Sequence, residues 1–100
     1  MANRRKLLET WSFPHVQRYG VTLVARSDAA ACVERIFAED CRFYGYDSFT
    51  VLPDGKIQPH MEWSPSWSQG ATPLLAALLA ELQLHPAGVT HYEFVFESAA

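Results

Sequence analysis

The stretch Cys41–Trp63, CRFYGYDSFTVLPDGKIQPHMEW, decides the fold. Its centre, Leu52-Pro53-Asp54-Gly55-Lys56, predicts a tight turn. Proline presets φ at the second turn position, aspartate bonds back to the backbone, and glycine accepts the positive φ that closes the reversal. After the turn, Ile57, Pro59, Met61 and Trp63 alternate with Gln58, His60 and Glu62. This period of two marks a half-buried strand. Before it, Phe49 and Val51 alternate with Thr50 and Leu52, whereas Phe43-Tyr44-Gly45-Tyr46-Asp47 reads equally as strand, bulge or irregular loop. Cys41–Trp63 is therefore read as a β-hairpin. Pro59 inside its second strand favours an edge or a bulge, because proline cannot donate to a ladder.

Working outward, Val16–Arg26 reads as one strand, with Gly20 as a bulge or a close backbone approach. Ser27-Asp28 is expected to cap a helix running to about Glu39, whose inward stripe is Cys32, Val33, Ile36 and Phe37. On the other side, Ser64–Thr72 is an irregular loop around Trp67. Thr72-Pro73 is expected to open a second helix, LLAALLAELQL, at 74–84. That helix has only Glu81 and Gln83 as polar residues, so it is either deeply covered or faces another chain. His85-Pro86-Ala87-Gly88 ends it, and Val89–Glu97 is the last strand, with Tyr92, Phe94 and Phe96 on one face.

The element order is strand, helix, strand, strand, helix, strand. It predicts an α+β two-layer sandwich of the ferredoxin-like βαββαβ type: a four-stranded antiparallel sheet, order β4-β1-β3-β2, with two helices on one face. A meander with the hairpin at one edge is the alternative, and Pro59 argues for it. Residues 1–15 are read as an N-terminal arm, a helical turn or a frayed end, and 16–98 as a single domain. Trp11 and Phe13 of the arm are expected to tuck against the body, since two large aromatics are seldom left in water.

The chain has 100 residues, 49% apolar and 19% charged, with a formal net charge of −3. That is an ordinary globular composition, long enough for one modest core. The net charge disfavours a non-specific nucleic-acid binder. Two cysteines, Cys32 and Cys41, are too few for a disulfide framework and match no zinc spacing. No apolar run reaches the roughly 20 residues of a membrane span, and no signal-peptide core follows Arg4, Arg5 and Lys6, so a cytoplasmic location is expected.

Chemistry-bearing motifs are scarce. His15, His60, His85 and His91 form no HxxxH or HExxH pair, and His60 with Glu62 and His91 with Glu93 read as a solvated strand face. There is no GxSxG elbow, P-loop or GxGxxG, and no cofactor is implied. Acylphosphatases share the expected topology, but their glycine-rich phosphate loop and its arginine have no counterpart here.

The leading expectation is a small non-enzymatic interaction protein that binds another protein. Inhibitors encoded by phages or mobile elements, anti-CRISPR proteins among them, are of this general kind. Its expected contact residues are Trp67, Tyr44, Tyr46, Asp47, His60 and Glu62, with the outer side of the Leu/Ala helix as a further surface. A homodimer through the sheet or that helix is a related possibility. The element order also resembles that of dimeric α+β-barrel enzymes and ligand binders, a fold analogy that a pocket of about 300 Å³ or more lined by Trp63, Phe43 and His60 would favour. A nucleic-acid-associated domain is the third reading. It would require Arg4, Arg5, Lys6, Arg18, Arg26 and Arg42 to cluster.

Overall fold

The computed structural model describes residues 4–67 and 72–98, apart from the Arg4 side chain. It shows an α+β domain with one five-stranded antiparallel sheet and three α-helices. The helices are α1 (Arg4–Thr10), α2 (Arg26–Ala38) and α3 (Leu75–Gln83). The strands are β1 (Val16–Arg18), β2 (Val21–Ala25), β3 (Cys41–Val51), β4 (Ile57–His60) and β5 (His91–Ser98). A single 3₁₀ turn covers Met61–Trp63.

The sheet order is β1-β2-β5-β3-β4, which replaces the expected four-stranded ferredoxin-like order. Two differences produce it. First, Val16–Arg26 is a hairpin and the start of a helix rather than one strand. Tyr19 (φ 50°) and Gly20 (φ 78°) both adopt positive φ between the paired residues Arg18 and Val21. Two such residues make the loop whose twist suits an antiparallel pair. Second, β5 inserts between the β1–β2 and β3–β4 hairpins, pairing Val24 with Tyr92 on one side and Ser48 with Tyr92 on the other. This leaves β4 at the edge. There Pro59, opposite Phe49, interrupts no ladder on its outer side.

The 52–56 turn forms as its residues predict. Gly55 N donates to Leu52 O (2.9 Å), Leu52 N to Lys56 O (2.8 Å), and Lys56 N to Asp54 Oδ1 (3.0 Å). The expected alternation beyond it stops at His60. Met61–Trp63 coils into the 3₁₀ turn, so Met61 and Trp63 do not share a strand face with Ile57.

The core lies between one sheet face and helices α2 and α3. Tyr92, Phe94 and Phe96 of β5 meet Ala29, Cys32, Val33 and Ile36 of α2 and Leu78 and Leu82 of α3. Val24 joins this face because it pairs directly with Tyr92. The opposite face carries the paired residues Asp47 with Glu93 and Phe49 with His91. Part of the segment read as an arm packs on the body. Leu8 of α1 is buried in the core, and the Trp11 ring stacks on Phe96 at 5.9 Å beneath the Arg35 guanidinium at 5.2 Å. Cys32 is buried, and desolvation followed by the nearby Asp28 charge pushes its thiol up to about 12, so it is a packing residue rather than a nucleophile.

Neither expected helix cap forms. Helix α2 begins at Arg26 without a side-chain cap, and the Arg26 N–H bonds Thr90 O on the sheet (2.8 Å). The Thr72 hydroxyl donates to Phe43 O (2.7 Å) and not to the first turn of α3. At α3 a tertiary partner has taken the hydroxyl that local pattern assigned to the helix end.

Candidate functional site

The six residues expected on the surface are not equivalent. Tyr46 is a core residue, only 1% exposed. The reason is a register shift in β3 between Phe43 and Gly45. Strict alternation would separate Phe43 from Tyr46; the bulge turns both toward the helices, opposite Phe96 and Phe94. Tyr44, the extra residue, is half-buried, and its hydroxyl donates to Glu97 Oε1 (2.6 Å). Trp67 is half-buried against Phe43 (6.2 Å) and Tyr46 (6.3 Å). Its backbone continues the pairing of β3 beyond β4, with Trp67 N donating to Tyr44 O (2.7 Å) and Tyr46 N to Pro65 O (3.1 Å). Asp47 is half-buried on the open sheet face. His60 turns toward Thr50 (Nε2 to Oγ1, 2.6 Å), and Glu62, exposed in the 3₁₀ turn, lies 3.8 Å from His60 Nδ1. The rest of the Ser64–Thr72 loop, at 68–71, lies outside the described residues.

The Tyr46 hydroxyl leads into a buried polar relay. It lies 2.9 Å from Glu81 Oε1 and 3.1 Å from His85 Nε2, while His85 Nδ1 lies 2.8 Å from Tyr92 Oη. A carboxylate only accepts, so Tyr46 spends its one hydrogen on Glu81. Its oxygen then accepts from His85 Nε2–H, and His85 Nδ1 accepts from Tyr92. One tautomer of neutral histidine satisfies every bond. Tyr92 is fully buried and His85 5% exposed, with the Trp63 ring 5.2 Å from the imidazole. Burial lowers the His85 pKa, Glu81 opposes that shift and Arg26 adds to it. Burial first, and then the bond to Glu81, raise the Tyr46 phenol. Burial likewise raises Tyr92. The relay thus holds neutral groups neutral, the opposite of what an activated base or nucleophile requires.

Arg26, at the start of α2, ties the relay's outer end together. Its guanidinium donates to the carbonyls of Pro86 (2.5 Å), His85 (2.7 Å), Val89 (3.1 Å) and Leu82 (3.4 Å). These include carbonyls at the C-terminus of α3, where a cation is favoured. Replacing Arg26 with alanine is expected to lower stability by about 2 kcal/mol, a value discounted because the side chain is partly exposed. Arg26→Lys should recover less than half of the loss, since an ammonium cannot span four divergent acceptors. Urea unfolding checks this; a lysine variant as stable as wild type would show that charge alone suffices.

The remaining feature is the outer side of α3. Its only charged residue, Glu81, is turned inward to Tyr46. Ala76, Ala77 and Ala80 face water, and Leu74 and Leu84 at the two ends are 82% and 78% exposed. With Leu78 and Leu82 buried and Gln83 the one exposed polar residue, the helix is largely apolar on both its inner and its outer side. Two cavities lie among the described residues away from this helix face. One of about 260 Å³ is lined by Arg26, Ser27, Ala29, Leu82, Gln83 and Tyr92. Another of about 200 Å³ lies beside Pro14, His15, Leu23 and His91. Neither of these two is lined by Trp63, Phe43 or His60. Of the basic residues considered as a cluster, Arg26 is engaged as above and Arg5 pairs with Glu9 (3.0 Å). Among the described residues no three His, Cys, Asp or Glu side chains are grouped to hold a metal ion, and no helix is long and apolar enough to cross a membrane.

Fold and site together define a small α+β domain with a buried Tyr46–His85–Tyr92 relay ending on Glu81 and a surface helix whose outer side is mostly apolar. No protein-family model, curated protein or solved structure significantly matches the chain.

Proposed function

We propose that this chain is a non-enzymatic protein-interaction module that docks on a protein partner through the outer face of α3. One observation carries the reading: α3 turns its single charged residue, the half-buried Glu81, to Tyr46, and offers Ala76, Ala77 and Ala80 to solvent beside Gln83, between the exposed flanking leucines Leu74 and Leu84. Single exposed apolar residues are ordinary; several on one helix face, with the charge turned away, suit burial against another protein. Small side chains let a partner approach closely, and the two leucines at the ends serve as anchors. Occupying a larger protein's surface in this way is how a small inhibitor or accessory protein acts. Two free cysteines are compatible with a cytoplasmic setting.

The test is a pull-down with wild type, an Ala77→Asp/Ala80→Asp double variant and Trp67→Ala. Both aspartates lie on an exposed helix face and should cost only about 1 kcal/mol of helix propensity together, so the fold should persist by circular dichroism. A partner held by wild type and Trp67→Ala but released by the double variant is the expected result. A partner held equally by all three, or no partner at all, defeats the reading. Light scattering on the same proteins would reveal a dimer that the aspartates dissolve, which would assign the face to a second copy of the chain.

A further inference from the structure

We infer that His85 is a pH-operated latch: its protonation releases the C-terminal end of α3 and the following 84–90 segment from Trp63, Tyr46 and Tyr92. Groups from every neighbouring element meet at this imidazole. Trp63 of the 3₁₀ turn faces its ring, Tyr46 of β3 lies at Nε2 and Tyr92 of β5 at Nδ1. Glu81 of α3 is reached through Tyr46, and Arg26 of α2 binds the His85 carbonyl.

The relay has room for one hydrogen between His85 Nδ1 and Tyr92 Oη, and in the neutral state Tyr92 supplies it. A second hydrogen, on Nδ1, forces the Tyr92 hydroxyl to turn away. That hydroxyl is fully buried, with His85 as its described hydrogen-bond partner, so a turned hydrogen has to find water. The cavity of about 260 Å³ that Tyr92 shares with Arg26, Leu82 and Gln83 is a place where water can enter. The new cation also lies near the Arg26 guanidinium. Glu81 offsets part of this repulsion, but its nearest oxygen is already engaged by Tyr46. What yields is the 84–90 connection that carries His85, which has no regular secondary structure and is held by Arg26 and by β3 rather than by a ladder or helix of its own.

The sign follows from the direction of the shift. A histidine whose folded pKa lies below its unfolded value of about 6.5 stabilises the closed form fully above that pH and loses the contribution as pH falls through the folded pKa. His91 is shifted the same way, by burial and then by Arg18, and serves as the control. Any effect on docking rests on the reading of α3 given above; the release itself does not.

The experiment is amide hydrogen exchange over a series of pH values from 7.5 to 5.0, expressed as protection factors so that intrinsic exchange cancels. In wild type and in His91→Gln, protection of amides 82–90 should fall on the order of tenfold across the series, while β3 and β5 amides keep theirs. In His85→Gln the fall should be absent. Equal protection at all pH values, an equal loss across the sheet, or an unchanged fall in His85→Gln would each overturn the latch. Because His85→Gln could fail to fold, the His85 ring is also titrated by NMR in wild type. Its midpoint should lie below that of a free histidine and coincide with the exchange midpoint; two separate midpoints would overturn the proposal as well.

Discussion

Gly45→Ala should destabilise the domain by about 3 kcal/mol or more, combining overpacking of roughly 1–3 kcal/mol with backbone strain of similar size. A Cβ at this position would stand 2.4 Å from Pro65 O and 2.9 Å from Ser66 Cα, both backbone atoms that cannot rotate away. Gly45 also holds φ at 155°, which side-chain-bearing residues rarely adopt. Relief requires the 65–67 segment to leave β3. That breaks the bonds Tyr46 N to Pro65 O and Trp67 N to Tyr44 O and uncovers the Phe43 and Tyr46 rings. The urea midpoint should fall, and tryptophan emission should shift to longer wavelength as Trp67 becomes wetter. Gly88→Ala is the matched control. A Cβ there meets nothing within 4 Å, and the variant should be neutral or up to about 1 kcal/mol more stable through its effect on the unfolded chain. Equal midpoints for the two variants would contradict the close approach at Gly45.

Tyr46 gives the second large effect. Tyr46→Ala removes a ring packed on Tyr92 (5.5 Å), Phe94 (6.1 Å), Trp67 (6.3 Å) and His85 (5.7 Å). Truncating a buried aromatic typically costs about 3–5 kcal/mol, a large part of the roughly 5–15 kcal/mol that holds a domain together. Tyr46→Phe keeps the packing and deletes the hydroxyl, leaving His85 Nε2 and Glu81 Oε1 without their partner; about 1–3 kcal/mol is expected from that alone. The difference between the variants in urea unfolding separates packing from polar satisfaction. A Tyr46→Phe protein as stable as wild type would show that the relay contributes nothing to folding. Any loss of partner binding in Tyr46→Ala would then report unfolding rather than a contact.

Tyr46 also shows where sequence reading reaches its limit. An alternating pattern assigns faces correctly as long as the strand is regular, as it is for Tyr92, Phe94 and Phe96. One extra residue at Tyr44 inverts the parity, and Tyr46 moves from an expected contact surface to the core. The glycine at 45 was a signal of the bulge, but it fixed neither its presence nor its direction. The turn at 52–56 and the stripe Cys32, Val33, Ile36 were legible because they depend on residues a few positions apart. Strand order was not, since it depends on which distant edges meet; only Pro59 pointed at the edge position it occupies. Tyr19-Gly20 is a weak hairpin signal beside the usual Asn-Gly, so the β1–β2 turn was read as a possible bulge. The apolar character of α3 was plain from composition. That Glu81 faces inward was not, because the partner that draws it in, Tyr46, is 35 residues earlier in the chain.

The position of β5 governs how the domain comes into being. Without it there are two separate hairpins, β1–β2 and β3–β4, and no strand pairing joins them. Each alone is a two-stranded ribbon, marginal in water. During synthesis both hairpins emerge before the strand that unites them, so the sheet cannot close until residues 91–98 have cleared the ribosome. Pairings such as Val24 with Tyr92 span most of the chain, and such distant contacts slow folding. Until that closure the apolar face of α2 has no complete surface to rest on.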